Sequence, residues 1–327
     1  TRRSSDLTTK DMEGSCEEIL NIQATGLYAR LKHINCTKMV IGISGGLDST
    51  LAFLVCIRVC DMLQIDYSNI IGVTMPGFGT TNRTYTNAIE LITKMGATLK
   101  EISIKEACIQ HFKDIEHDPN VRDITYENSQ ARERTQILMD ISNRYNGIVI
   151  GTGDLSELAL GWATYNGDQM SMYAVNASIP KTLIKYLVQY ASEHYVPEHV
   201  KNNLLDVIDT PVSPELLPSE EDGSIAQKTE DIVGPYEIHD FCIYYTLRYG
   251  YTPKKILYIA KKAFKDQYTE DELHYWLKNF FRRFFAQQFK RSCMPDSPKV
   301  GSVCLSPRGD WRMPSDATNR AWLDDLL

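Results

Sequence analysis

The sequence predicts an α/β fold: a Rossmann-like parallel sheet with helices on both faces, extended by C-terminal helices. Three observations carry that prediction. Short β-branched apolar runs alternate with helix-length segments over the first half of the chain, the pattern of βαβ units. A glycine-rich turn joins the first such run to a long apolar helix. Past residue 180, helical periodicity dominates.

The elements follow in order. Residues 1–14 read as a polar linker. Residues 15–34 read as a helix, with Ile19, Leu20, Ile22, Leu27 and Leu31 at roughly helical spacing. KMVIGIS (38–44) reads as a buried strand, and a helix follows over 49–63. A second strand covers 70–75 and ends at Pro76. A helix over 84–95 and a strand over 98–104 come next. Residues 129–145 read as a helix, GIVIG (147–151) as a buried strand, and a further helix opens at about Leu155. Helices are then expected over 181–193, 239–249, 253–264 and 270–289, packed around the sheet. The stretch 210–235 is rich in Pro, Ser, Gly and acidic residues, and its length suggests a mobile lid. The segment 293–327 is rich in turn residues but carries Trp311 and Trp322, which suggests a tail docked on a domain spanning 15–292.

Composition narrows the function. The 327 residues carry 35 basic and 42 acidic side chains, a net charge of −7, which excludes strong global steering toward nucleic acid or anionic lipid. Any anionic ligand must therefore be held locally. The most apolar helical stretch, 50–63, is interrupted by Arg58 and Asp61, so no membrane span is expected. Eight cysteines without a C-x2-C pair fit free thiols in a reducing, cytoplasmic setting better than a disulfide framework or a zinc site.

GISGGLDST (42–50) leaves a strand and opens a helix. Gly45 and Gly46 permit positive φ and close backbone approach. The turn amides, with the helix dipole behind them, form a pocket that attracts phosphate, and Ser44 and Ser49 add hydroxyls. Asp48 is the informative residue. A carboxylate in a phosphate cradle repels the ligand unless a cation lies between them, and Mg²⁺ would resolve the conflict. The lysine of a Walker A loop is missing from this turn.

A second motif, GTGDLSELALGWATYNGDQMS (151–171), follows the GIVIG strand. In an open parallel sheet both motifs would face one crevice beyond the strand ends. Thr152 offers a hydroxyl there. Glu157 reads equally as a metal ligand or as the partner of Asp154 in a capping box.

SGGLDS resembles the signature of the N-type ATP pyrophosphatases, which have the adenine nucleotide α-hydrolase-like fold and include GMP, asparagine and argininosuccinate synthetases. The chain as a whole resembles the glutamine-dependent NAD⁺ synthetases. The resemblance rests on YENSQARERT (126–135), GTGDLSELALGW (151–162), VNASIPKTLIKYL (175–187), SPELLP (213–218), VGPYEIHDF (233–241), QFKRS (288–292) and SPRGDWRMPSD (306–316), in that order. It implies a ligase in which the nicotinate carboxylate of deamido-NAD⁺ attacks the ATP α-phosphate. Pyrophosphate leaves, and ammonia then displaces AMP to give NAD⁺.

Site residues follow from the resemblance. Gly42, Ile43, Ser44, Gly45, Gly46, Leu47, Asp48 and Ser49 would hold ATP, with Thr152, Lys181 and Ser213. Asp48 and Lys181 would be catalytic, and Asp48 and Glu157 would bind Mg²⁺. Asn128, Arg132, Glu157, Trp162, Ala163, Thr164, Tyr165, Phe289 and Lys290 would line the deamido-NAD⁺ site. Asn128 also reads as a cap for a helix starting at Ser129. Trp162 also reads as core. Lys181, next to Pro180 at a helix start, sits where the dipole disfavours a cation unless a polyphosphate is near. Lys290 also fits a solvated basic face. Ammonia-dependent relatives carry Lys where Tyr165 stands and His where Phe289 stands, so direct ionic contacts to the substrate are in question there.

Full-length glutamine-dependent members also carry a nitrilase-like glutaminase domain, and no residues before Gly42 read as one. The resemblance therefore implies a synthetase domain supplied with ammonia by a glutaminase partner domain or as free ammonium, within a homo-oligomer. Two other readings are an adenylating amidase of the GMP synthetase kind and a nucleotide-sensing module without catalysis.

Overall fold

A computed structural model describes residues 9–210, 216–217 and 229–327. The first half runs α1 (Thr9–His33), β1 (Met39–Gly42), α2 (Leu47–Leu63), β2 (Ile70–Thr74), α3 (Asn82–Lys94), β3 (Thr98–Glu101), α4 (Lys105–Asp114), α5 (Ile124–Tyr145) and β4 (Ile148–Gly151). It continues through α6 (Leu155–Leu160), β5 (Tyr173–Ala174), α7 (Lys181–His194) and α8 (Glu198–Ile208). Helices α9 (Thr229–Val233), α10 (Tyr236–Tyr249), α11 (Pro253–Ala263), α12 (Glu270–Ala286), α13 (Gln288–Arg291) and α14 (Arg320–Asp324) complete it.

The strands form one sheet of order β3-β2-β1-β4-β5, with every neighbouring pair parallel. β1 sends its side chains alternately to two apolar layers. Met39 and Ile41 join the core beneath α1, α2 and α7, while Val40 joins the smaller core under α4 and α5. Burial on both faces explains why β1, β2 and β4 are almost continuously apolar, while the edge strand β3 is not. Helix α2 is apolar nearly all round, and the side chains from Ser49 through Ile57 are buried. A third core joins α6, α10, α11 and α12 to the C-terminal segment. There the ring of Trp311 lies 5.4 Å from that of Phe284, and Trp322 lies 5.2 Å from Phe281.

Several boundaries differ from expectation. Helix α1 begins at Thr9, inside the stretch read as linker. α5 begins at Ile124, because the Asp123 carboxylate accepts from the N–H groups of Thr125 and Tyr126. Asn128 is thus inside the helix and does not cap it. The helix expected over 270–289 breaks at Gln287, which separates α12 from α13. α4 and α8 were not anticipated. α4 carries few buried apolar positions, Cys108 and Phe112, and α8 is started by Pro197. Most of the expected lid, including 211–215 and 218–228, lies outside the described residues. Leu216 within it is anchored, its carbonyl accepting from Gln130 Nε2 at 2.8 Å. Among the described residues no helix is long and apolar enough to cross a membrane.

The core of α10 contains a titratable group. His239 is fully buried and bonded through Nε2 to the Val233 carbonyl at 2.7 Å. Burial holds its imidazole down to about 4. Because the unfolded side chain titrates near 6.5, protons bind the unfolded state preferentially between those values. The stabilisation is complete above pH 6.5 and is lost as pH falls toward 4, by about 3 kcal/mol. His239→Gln keeps the N–H donor and removes the titration. Urea unfolding at several pH values should show a shallower acid decline in that variant than in the parent chain.

Candidate functional site

The sheet order reverses direction between β1 and β4, and ligands of open α/β sheets gather beyond the strand ends at such a point. The loops after these two strands are the two motifs. After β1, the Ile43 N–H still pairs with the Val73 carbonyl at 2.9 Å, and the chain then turns at Ser44–Gly46 into α2. Gly45 has φ of +87°, and a Cβ there would come within 2.0 Å of the Thr84 carbonyl oxygen. Only glycine fits both constraints. Gly46 differs from expectation: its φ is −93° and it is the N-cap of α2. Ser49 Oγ donates to the Gly46 carbonyl at 3.1 Å and accepts from the Ser44 N–H at 3.3 Å, so the hydroxyls brace the turn. The opening N–H groups of α2 have no intrahelical partner, which is the geometry of an anion cradle.

Asp48 lies in the first turn of α2, where the dipole favours a carboxylate. Its Oδ2 is 2.5 Å from Lys181 Nζ. Lys181 also approaches Glu157 Oε1 at 3.0 Å and Asp154 Oδ2 at 3.1 Å. The three carboxylates offer oxygens within 4.8 Å of one another. The sequence-predicted residues Asp48, Glu157 and Lys181 are thus brought together, and Asp154 joins them.

The two readings of Glu157 hold at once, because each carboxylate divides its oxygens. Asp154 Oδ1 accepts the Glu157 N–H at 2.8 Å, and Glu157 Oε2 accepts the Asp154 N–H at 3.3 Å, a complete capping box. The remaining oxygens face Lys181. Burial, then Glu157 alongside, pushes the Asp154 carboxyl well above its usual range, and burial likewise raises Glu157. Burial alone would depress Lys181, but Asp48, Glu157 and Asp154 outweigh it and hold the ammonium well above the ordinary lysine value.

The start of α7 is built to place that lysine. Pro180 supplies no side-chain cap. The Lys181 N–H donates instead to Ser156 Oγ at 2.8 Å, and the Thr182 N–H donates to Asp240 Oδ2 at 3.1 Å. Ser156 in turn donates to Asp240. The dipole objection to a cation here is met by the carboxylates, and Lys181 is only 7% exposed. Sequence reasoning gave Ser156 and Asp240 no role, and Asp154 only that of a cap. The quoted blocks DLSE and EIHDF contain them, but the contacts between blocks are tertiary.

The cluster fits a hard divalent cation. Its donors are all carboxylate oxygens; Asp48 Oδ1 is buried without a hydrogen-bond partner among the described residues, and buried Asp154 Oδ2 is met by the Lys181 ammonium at 3.1 Å.

The residues expected at the dinucleotide gather around the turn that follows α6, with Asn128 and Arg132 on α5 and Phe289 and Lys290 on α13. Trp162 N–H bonds back to the Glu157 carbonyl at 2.9 Å, which ties this turn to the carboxylate cluster. Thr164 Oγ1 donates to Asn128 Oδ1 at 2.8 Å, and Arg132 Nε donates to the Tyr165 carbonyl at 3.3 Å. The rings of Tyr165 and Phe289 are exposed and 5.3 Å apart. Arg283 lies over the Trp162 ring at 5.3 Å. Lys290 departs from a solvated face: its Nζ donates to the Gly161 and Ala163 carbonyls at 2.7 and 2.6 Å, and burial lowers its pKa. Thr152 opens the second loop, its carbonyl 3.1 Å from Asn176 Nδ2. Ser213 lies outside the described residues.

A glycine cradle and an acidic cluster facing each other at the switch point define a doubly wound α/β protein of the adenine nucleotide α-hydrolase-like fold. A model of the family described as NAD synthase matches residues 19–223, and the chain belongs to that family. It is 43% identical to the glutamine-dependent NAD(+) synthetase of Mycobacterium leprae, over 96% of this chain and 50% of that protein. It is 31% identical to the enzyme of the same description from Aquifex aeolicus, over 91% of this chain and 48% of that protein. The chain therefore spans about half the length of the curated relatives it matches. Among solved structures, a glutamine-dependent NAD(+) synthetase from Cytophaga hutchinsonii superposes with a TM-score of 0.78 at 21% identity, covering 95% of this chain and 56% of that one. The NH3-dependent NAD synthetase of Campylobacter jejuni gives 0.58 at 21% identity, covering 86% of this chain and 98% of that one.

Lys181→Met keeps the aliphatic stem and removes the ammonium, leaving three carboxylates crowded within 4.8 Å. Breaking such a buried arrangement should lower stability by about 3 kcal/mol. Lys181→Arg, which keeps the charge, should lose less. Urea midpoints of the two variants at neutral pH measure the difference.

Proposed function

We propose that the chain is the synthetase part of an ATP- and Mg²⁺-dependent ligase that converts deamido-NAD⁺ to NAD⁺. The nicotinate carboxylate oxygen bonds to the ATP α-phosphorus and pyrophosphate departs. Ammonia then bonds to the acyl carbon, AMP departs, and one proton passes to solvent. Ammonia comes from a glutaminase domain or from free ammonium. Family membership supports the reaction class. The observation that carries the site assignment is the lysine–carboxylate cluster facing the amide cradle across the switch point.

In this reading the α2 amides and the turn from Gly42 to Ser49 hold ATP phosphates; Thr152 and Ser213 are the further ATP ligands of the proposal. Asp48 and Glu157, joined by Asp154, hold Mg²⁺, which supplies charge neutralisation for the departing pyrophosphate. Lys181 is held by the carboxylates within reach of the phosphates. Asn128, Arg132, Trp162, Ala163, Thr164, Tyr165, Phe289 and Lys290 shape the deamido-NAD⁺ side. Tyr165 and Phe289 offer exposed rings for stacking in place of ionic contacts. Lys290, whose ammonium is bound to two carbonyls, acts by holding the Gly161–Ala163 turn. A cytoplasmic location and a homo-oligomeric state complete the proposal. Eight free cysteines, six of them buried, suit a reducing compartment.

The assay is NAD⁺ formation from deamido-NAD⁺, ATP and Mg²⁺, with ammonium compared against glutamine. Turnover with ammonium alone is the expected result. Asp48→Asn should reduce it by about 100-fold or more without unfolding the chain. Pyrophosphate release stimulated by XMP and not by deamido-NAD⁺ would overturn the substrate assignment.

A further inference from the structure

The two motif loops are connected by one side chain that belongs to neither. Asn176 follows β5 and is fully buried. Its Nδ2 donates to the Asp48 carbonyl at 2.9 Å and to the Thr152 carbonyl at 3.1 Å. The first acceptor is in the opening turn of α2, and the second is in the loop after β4. One amide group therefore spans the switch point between β1 and β4 and ties both loops to the end of β5.

The orientation of this amide is itself determined. Gln23, fully buried on α1, donates through Nε2 to the Val175 carbonyl at 3.0 Å and to Asn176 Oδ1 at 3.0 Å. A backbone carbonyl only accepts, so the Gln23 end facing Val175 must be its NH2 group. The Asn176 atom beside that group must then be its oxygen, which leaves both Asn176 N–H bonds for the two loop carbonyls. The network has one consistent assignment, and each of its carbonyl acceptors belongs to a different segment.

We infer that Asn176, oriented by Gln23, is a positioning residue that sets the gap between the Asp48 and Glu157 carboxylates and so the metal-assisted binding of nucleotide. Asp48 carries the Asn176-bound carbonyl. Thr152 stands two residues before Asp154, whose capping box fixes Glu157. Loss of the clamp lets the two loops separate while each keeps its own turn and cap. Partners one shell removed from metal ligands act in this way, and their loss costs about 10- to 100-fold in metal affinity. The inference rests on the proposal that the cluster binds a divalent ion with ATP.

Asn176→Asp is the sharpest variant, because it keeps the shape and turns both donors into acceptors facing carbonyls. Calorimetry with α,β-methylene-ATP, in EDTA and in Mn²⁺, measures how much the metal tightens nucleotide binding. Urea unfolding is followed in parallel. The wild-type gain should fall by about tenfold or more in Asn176→Asp, a readout that simple destabilisation of a folded chain does not move. Gln23→Leu leaves Asn176 in place but unoriented, and should lower the gain by a smaller factor; it decides the question if Asn176→Asp does not fold. A wild-type gain retained in the folded variants overturns the clamp alone. A wild-type chain that shows no metal-dependent gain overturns the proposed ATP–metal site, and the clamp with it.

Discussion

One buried ammonium surrounded by three carboxylates is the constraint on which the rest of the site depends. Removing these charges from water costs several kcal/mol per ion, and only close, mutual pairing offsets that cost. Pairing at this distance requires three chain segments to arrive together. Asp48 comes from the first turn of α2, Asp154 and Glu157 from the start of α6, and Lys181 from the first residue of α7. The parallel sheet makes this possible, because strands β1 and β4 are neighbours and deliver their following loops to the same end of the sheet.

The groups that hold these helix starts also hold the chemistry. Asp154 and Glu157 cap α6 with one oxygen each and turn the other toward Lys181. Ser156 and Asp240 satisfy the first N–H groups of α7, which has no cap of its own. Arg291 completes the frame at the other end of α6. Its guanidinium is fully buried and donates to the Leu158 and Ala159 carbonyls at 3.1 and 2.9 Å, which fastens α6 to α13. Helix termini leave backbone groups unpaired, and here those groups are paired by side chains from distant segments. The reacting geometry and the fold are therefore supported by the same bonds.

Much of the fold was legible. Strands buried on both faces are continuously apolar, and the stretches around β1, β2 and β4 announced themselves in that way. β5 did not, because two residues show no periodicity. α4 was missed because only Cys108 and Phe112 mark its inner face, α8 was missed although Val200, Leu204 and Val207 mark its own, and the start of α5 was misplaced because its cap, Asp123, lies ahead of the apolar pattern. At the site, Asp48 stood out because a carboxylate in a phosphate cradle needs a cation, whereas Glu157 read equally as a cap or a metal ligand and Lys181 followed from the family resemblance. Asn128 and Lys290 illustrate the limit: their contacts are with Thr164 and with the Gly161 and Ala163 carbonyls, which local spacing does not reveal.

Local chemistry in the chain determined the sheet class, the glycine turn after β1 with its positive φ at Gly45, and the acidic character of both motif loops. These depend on neighbours within a few residues. Folding in three dimensions decided how the carboxylate oxygens are shared, why Lys181 is buried with its charge intact, and that Asn176 and Gln23 join the loops. Those outcomes turn on hydrogen bonds between residues more than 100 positions apart, such as Asn176 to Asp48 and Lys181 to Asp48. A partner supplied from that distance leaves no periodic trace in the sequence, and only the packed sheet and helices bring it within 3 Å.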